Sequence, residues 1–131
     1  MKKDIEIPKV EGVYVVAVKQ WNKFFNMHDW NVFLVNKNNF PITDAIIVSK
    51  GYKGSTLTST MRHKLAVLPV KSYAKIELLQ PELLSLTNEF SVSYFIENKM
   101  FHKNFKFLPN SIKETNLGEI PIMTEQGIEA T

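Results

Sequence analysis

The sequence predicts an all-β fold, an antiparallel immunoglobulin-like β-sandwich of about seven strands with one short helical turn, and three observations predict it. Runs of β-branched and aromatic residues, many alternating with period two, recur between residues 11 and 108. Turn-forming residues separate them at intervals of about 8–12 residues. No long segment carries the 3.6-residue apolar period of an amphipathic helix. The likeness to immunoglobulin domains is architectural, because the chain contains no cysteine and so lacks the Cys–Trp–Cys core of antibody domains. A small barrel is the alternative closure of the same strands.

Residues 11–20 (EGVYVVAVKQ) are apolar on both faces, as a buried strand requires, and so are residues 30–36 (WNVFLVN). Lys37-Asn38-Asn39-Phe40-Pro41 ends the second strand, since asparagine tolerates left-handed φ and proline cannot join a ladder. Residues 44–50 (DAIIVSK) form the third strand. Residues 60–68 (TMRHKLAVL) form the next, with Met61, His63, Leu65 and Val67 on one face and Arg62 and Lys64 on the other. Pro69 stops that strand. In residues 72–79 (SYAKIELL), strict alternation turns Ala74, Ile76 and Leu78 one way and Lys75 and Glu77 the other. Pro81 suits the first position of a helical turn within residues 80–86 (QPELLSL). Residues 89–96 (EFSVSYFI) and 100–108 pair through a turn at Glu97-Asn98-Lys99, with Phe101, Phe105 and Phe107 sharing one face.

At 131 residues and 44% hydrophobic content, the chain can build one core. Residues 1–109 are expected to form a single domain, and residues 110–131 an acidic, extended or partly disordered tail. The charge divides at that boundary. The body carries a net +6, from fourteen lysines and Arg62 against nine acids, and the tail −3, from Lys113 against four glutamates. The absence of cysteine excludes a disulfide framework and thiolate metal sites and suits a reducing, cytoplasmic setting. The N-terminus has no apolar run of signal-peptide length, and no stretch reaches the roughly 20 apolar residues of a membrane helix, so no membrane association is expected.

Residues 49–63 (SKGYKGSTLTSTMRH) hold two of the five glycines, six Ser/Thr, the single arginine and no carboxylate. Lysines neutralise anions, and glycines let backbone N–H groups approach them. Lys50, Lys53, Arg62 and Lys64 are therefore candidate anion-binding residues. The glycine spacing does not match the nucleotide-binding pattern, because two residues rather than four separate Gly51 from Gly54 and no lysine follows. Residues 20–30 (QWNKFFNMHDW) are the second candidate. Trp21, Phe24, Phe25 and His28 fall on one face of a short helix, and Trp21, Phe24 and Phe25 form a candidate partner-binding patch, the alternative being a plug at one end of the sandwich. The interleaved aromatics and bases of residues 101–107 could stack nucleic-acid bases, but period two fits buried phenylalanines better. His28, His63 and His102 are far apart in sequence, no nucleophile motif is present, and neither catalytic residues nor a metal or cofactor are expected.

The segments NVFLVNKN, IIVSKGYKGSTLTSTMRH and NEFSVSYFIENK, within residues 12–108, resemble a family of small bacterial β-rich proteins, some of them labelled phenylalanyl-tRNA synthetase alpha subunit. That label implies ATP, phenylalanine and tRNA as ligands. No functional residue carries over from it, since a class II synthetase core requires a larger domain and an arginine-bearing strand motif. The sequence thus points to a non-catalytic intracellular binding module, most directly for another protein, as a monomer or weak homodimer. Binding of nucleic acid or another polyanion through Lys50, Lys53, Arg62, Lys64, Lys103 and Lys106 is the alternative, and an accessory role beside a tRNA synthetase is a third reading.

Overall fold

The computed structural model describes residues 9–131 and consists of two antiparallel sheets packed face to face. In chain order the first strands are β1 (Val13–Asn22), β2 (Met27–Asn36), β3 (Ile42–Lys53), β4 (Thr56–Leu57) and β5 (Met61–Leu68). They are followed by β6 (Ser72–Leu79), β7 (Thr87–Ile96), β8 (Lys99–Phe107) and β9 (Ile128–Glu129). The first sheet has the order β6-β2-β1-β9. In the second, β3 pairs with β7, β7 with β8, and β4 and β5 line the other side of β3. The helical turn expected after Gln80 is a single 3-10 turn over Pro81–Leu83.

Alternation builds the core. Val15, Ala17, Val32 and Leu34 of the first sheet pack against Ile47, Phe90, Val92, Tyr94, Phe105 and Phe107 of the second. Burying each of the valine, leucine, isoleucine and phenylalanine side chains among them contributes about 1.5–3 kcal/mol. Phe90 and Phe107 meet edge to face with centroids 5.9 Å apart, and Tyr94 stacks on Phe101 at 5.2 Å. The Tyr94 hydroxyl has no hydrogen-bond partner among the described residues, and burial pushes this phenol above its ordinary value.

β1 and β2 are apolar on both faces because both faces are covered. Val16, Val18, Phe33 and Val35, on the outer side of the first sheet, lie under Ile120 and Met123. Residues 110–131 differ from the expected tail in being packed, and they include a 3-10 turn over Glu114–Asn116. Ile112, Ile120, Met123, Ile128 and Ala130 are all buried. Gly127 makes this close approach possible, since a Cβ there would stand 2.8 Å from the Ala17 carbonyl oxygen. Widely and irregularly spaced apolar residues carry no period, and the cover they form is therefore silent in sequence.

The same segment ties the two sheets together along one side. The Ala130 N–H donates to the Val15 carbonyl (2.9 Å), and Thr131 exchanges backbone hydrogen bonds with Lys106 (2.9 and 3.1 Å). On the opposite side no backbone ladder joins β5 to β6 among the described residues, so the sheets stay open there and no barrel closes. The crossover between these edges is held by Asn36, which is fully buried. Its amide N–H groups donate to the Phe40 (2.9 Å), Leu68 (3.3 Å) and Pro69 (3.1 Å) carbonyls, and its Oδ1 accepts from the Asn38 N–H (3.0 Å).

Candidate functional site: hairpin tip, basic face and inter-sheet slot

The short helix expected around Trp21 does not form. Its residues continue the β1–β2 ladder, with Trp21 opposite His28 and Asn22 opposite Met27. Asn22 Oδ1 accepts the Phe24 (2.9 Å) and Phe25 (3.3 Å) N–H groups, Asn26 takes positive φ, and the four-residue turn is closed. These local bonds win over a helix that would have had no neighbour to cover its apolar face. Beyond the Trp30–Leu79 pair β6 no longer accompanies β2, and the ribbon projects. Trp21 is 54% exposed, Phe24 85% and Phe25 74%, so they do not plug the end of the sandwich. Met27 is exposed beside them. The Trp21 and His28 rings meet edge to face at 5.1 Å, and Asn22 Nδ2 donates to Asp29 Oδ2 (2.6 Å), which stiffens the ribbon. At its base Lys19 pairs with Glu114, and the hydrogen bond and charge of that ammonium hold the Glu114 carboxyl below its ordinary range.

Residues 49–63 are a strand, a turn and a strand. Three of the four basic candidates share one surface. Cross-strand rows on the outer face of the second sheet read Lys64-Ile46-Ser93-His102, then Arg62-Val48-Ser91-Asn104, then Lys50-Glu89-Lys106. Lys53 and Lys103 have the opposite parity and leave the patch, whereas Lys106 belongs to it. Glu89 lies between Lys50 (3.6 Å) and Lys106 (3.8 Å) and offsets part of their charge. The glycines build no anion cradle: Gly51 is within β3 with its N–H on Thr58 Oγ1 (2.7 Å), and Gly54 turns the chain at φ 58°. Phe105 and Phe107 are buried as the period-two pattern indicates, so this strand offers no row of exposed aromatics for base stacking.

A third feature has no sequence counterpart. The β2–β6 ladder pairs Phe33 with Lys75 and Val32 with Glu77, leaving Ile76 as an extra residue in a β-bulge. Past the bulge, alternation is inverted. Glu77 turns toward the core side with Leu79, instead of facing solvent with Lys75 as strict alternation has it. Its Oε1 accepts from Ser49 Oγ (2.6 Å) on β3 and lies 2.9 Å from His63 Nε2 on β5. The Glu77 side chain is only 9% exposed. It borders a slot of about 240 Å³ on the open side of the sandwich, lined also by Gly51, Met61, Leu83, Asn88 and Phe90. The inward orientation expected of His63 is met by this carboxylate rather than by an apolar neighbour.

Among the described residues no three acidic or histidine side chains gather as metal ligands, and no helix is long and apolar enough to cross a membrane. Comparison with protein-family models, curated proteins and solved structures finds no match.

Proposed function

We propose that this chain is a non-catalytic, immunoglobulin-like module that binds another protein, with the tip of the β1–β2 hairpin as its anchor. The observation that carries the reading is the joint exposure of Trp21, Phe24 and Phe25 on a ribbon tightened by its own hydrogen bonds. Large apolar side chains held out by a rigid ribbon lose little conformational freedom on docking, and aromatics dominate the energetics of interface centres. The strand order supports the immunoglobulin-like reading, since β1-β2-β6 opposite β3-β7-β8 repeats the A-B-E and C-F-G arrangement of that architecture. The lack of cysteine favours an intracellular, cytoplasmic site of action. The partner is a protein with an apolar groove wide enough for an indole and a phenyl ring.

Affinity capture from native lysate tests this. The chain should recover a partner in stoichiometric amount, and a Trp21→Ala, Phe25→Ala variant of unchanged fold should lose it. Recovery of the same partner by the variant overturns the hairpin as anchor. Nucleic acid is the second reading, carried by Lys50, Arg62, Lys64 and Lys106 on one face. It predicts RNA or DNA binding that weakens steeply with salt, because each phosphate contact releases counterions. Absence of any shift at low salt removes it.

A further inference from the structure

We propose that the slot between β5 and β6 is a binding site for a primary ammonium group, with Glu77 as its counter-ion. Two observations converge on it. The bulge at Ile76 inverts β6 and drives a carboxylate into the space between the sheets, where strict pairing would leave it in water. Withdrawing a carboxylate from water is costly unless the charge is matched, and bulges recur where a strand must re-aim a functional side chain. The match supplied from within the fold is one-sided. Ser49 and His63 both engage Oε1, while Oε2 has no hydrogen-bond partner among the described residues.

The surroundings choose the ligand. Among the described residues Glu77 is the only carboxylate lining the slot; Lys50 also borders it, but its ammonium is directed to Glu89 on the outer face, so the buried charge that a ligand meets is negative and favours a cation. Met61, Leu83 and Phe90 provide an apolar wall suited to an alkyl stem. The floor is kept low by Gly51, where a Cβ would come within 3.2–3.3 Å of Thr58, Asn88 and Leu86. At about 240 Å³ the slot lies below the roughly 300–1,000 Å³ of sites for drug-sized molecules. It therefore takes a short alkylammonium, presented either by a free amine or by the side chain of a lysine.

The test is an amide chemical-shift titration of the whole chain with n-butylammonium chloride and, separately, with 1-butanol and with Nα-acetyl-lysine amide. Saturable shifts at Ser49, Gly51 and Asn88 are expected with n-butylammonium, in the range of about 1–10 mM that so few contact atoms permit. Butanol, which keeps the stem and lacks the charge, should bind at least about tenfold more weakly. Glu77→Gln, isosteric and uncharged, should lose the ammonium to a similar degree. Should that variant fail to fold, Gly51→Ala decides instead, because it narrows the floor without touching the carboxylate. Saturation by the lysine derivative assigns the ligand to a side chain, and saturation by the free amine alone assigns it to a small molecule. No saturable shift with either amine, equal binding of butanol, or undiminished binding by the folded variant overturns the proposal.

Discussion

Glu77 and His63 meet across the open side of the sandwich, Oε1 to Nε2 at 2.9 Å, and link the edge strands of the two sheets. Ser49 joins the same oxygen from β3. The three residues come from three strands, and the bulge at Ile76 makes their meeting possible. Glu77→Ala leaves two donors without their acceptor, and hydrogen bonds to charged groups contribute about 1.5–3 kcal/mol each. Urea unfolding should show a loss of at least about 2 kcal/mol. An unchanged midpoint would mean that the link adds nothing to stability.

Tyr94 offers the opposite case. Its ring is fully buried, but its hydroxyl finds no partner among the described residues, and desolvation raises its pKa. Tyr94→Phe removes the unmatched group and keeps the ring, so stability near neutral pH should rise by about 1 kcal/mol. The same substitution tests the sign of the shift. A phenol with a raised folded-state pKa stays neutral in the fold while the unfolded chain ionises, so its contribution is complete below about pH 10 and declines as pH rises beyond that. Guanidinium denaturation between neutral and alkaline pH should show a smaller alkaline loss for the variant than for the parent.

Asn36 is a hub without charge. Its amide satisfies three carbonyls and one N–H from the β2–β3 loop and the β5–β6 crossover. Asn36 is itself fully buried, so Asn36→Ala leaves these groups without their partner at the core's margin, and a loss of about 1–3 kcal/mol is expected from the unsatisfied polar groups. A drop in melting temperature of only one or two degrees would contradict this.

Gly127→Ala tests the cover over the first sheet. The added methyl group would press on the Ala17 carbonyl oxygen at 2.8 Å and Ile120 Cδ1 at 2.9 Å. Overpacking of this kind costs about 1–3 kcal/mol. Hydrogen exchange should speed up at Ala130 and Thr131, whose N–H groups pair with Val15 and Lys106, while β7 stays protected. Uniform acceleration throughout the chain would show that the cover is inseparable from the core.

The hairpin tip should be expendable for stability. Phe24→Ala and Phe25→Ala remove exposed side chains, and each should change stability by less than about 0.5 kcal/mol in thermal melts. Trp21→Ala also gives up its edge contact with His28, a cross-strand pair of a kind that contributes about 0.2–1 kcal/mol. Larger losses at any of the three positions would mark them as structural.

Period-two runs and proline or asparagine turns were enough to place seven main strands, from β1 to β8 with β4 excepted, to within a few residues. Those signals are local, and sterics and solvent exposure act on each strand separately. The aromatic cluster at Trp21, Phe24 and Phe25 was equally visible, but as a helix face. Spacing at i, i+3 and i+4 is also what a hairpin turn produces when aromatics stand on both sides of it, and only the Asn22 cap and the partner strand distinguish the two.

By itself, the sequence determined the strand set, the side of most strands that faces inward, and the exposure of Lys50, Arg62 and Lys64. Tertiary structure alone decided where Glu77 points, because a bulge arises from the mismatch between two paired strands and is a property of neither. It also decided that Lys106 shares the basic face while Lys53 and Lys103 leave it, and that Ile120 and Met123 cover the outer side of the first sheet. These outcomes depend on register across distant segments, and side-chain alternation within one strand says nothing about the neighbour it will meet.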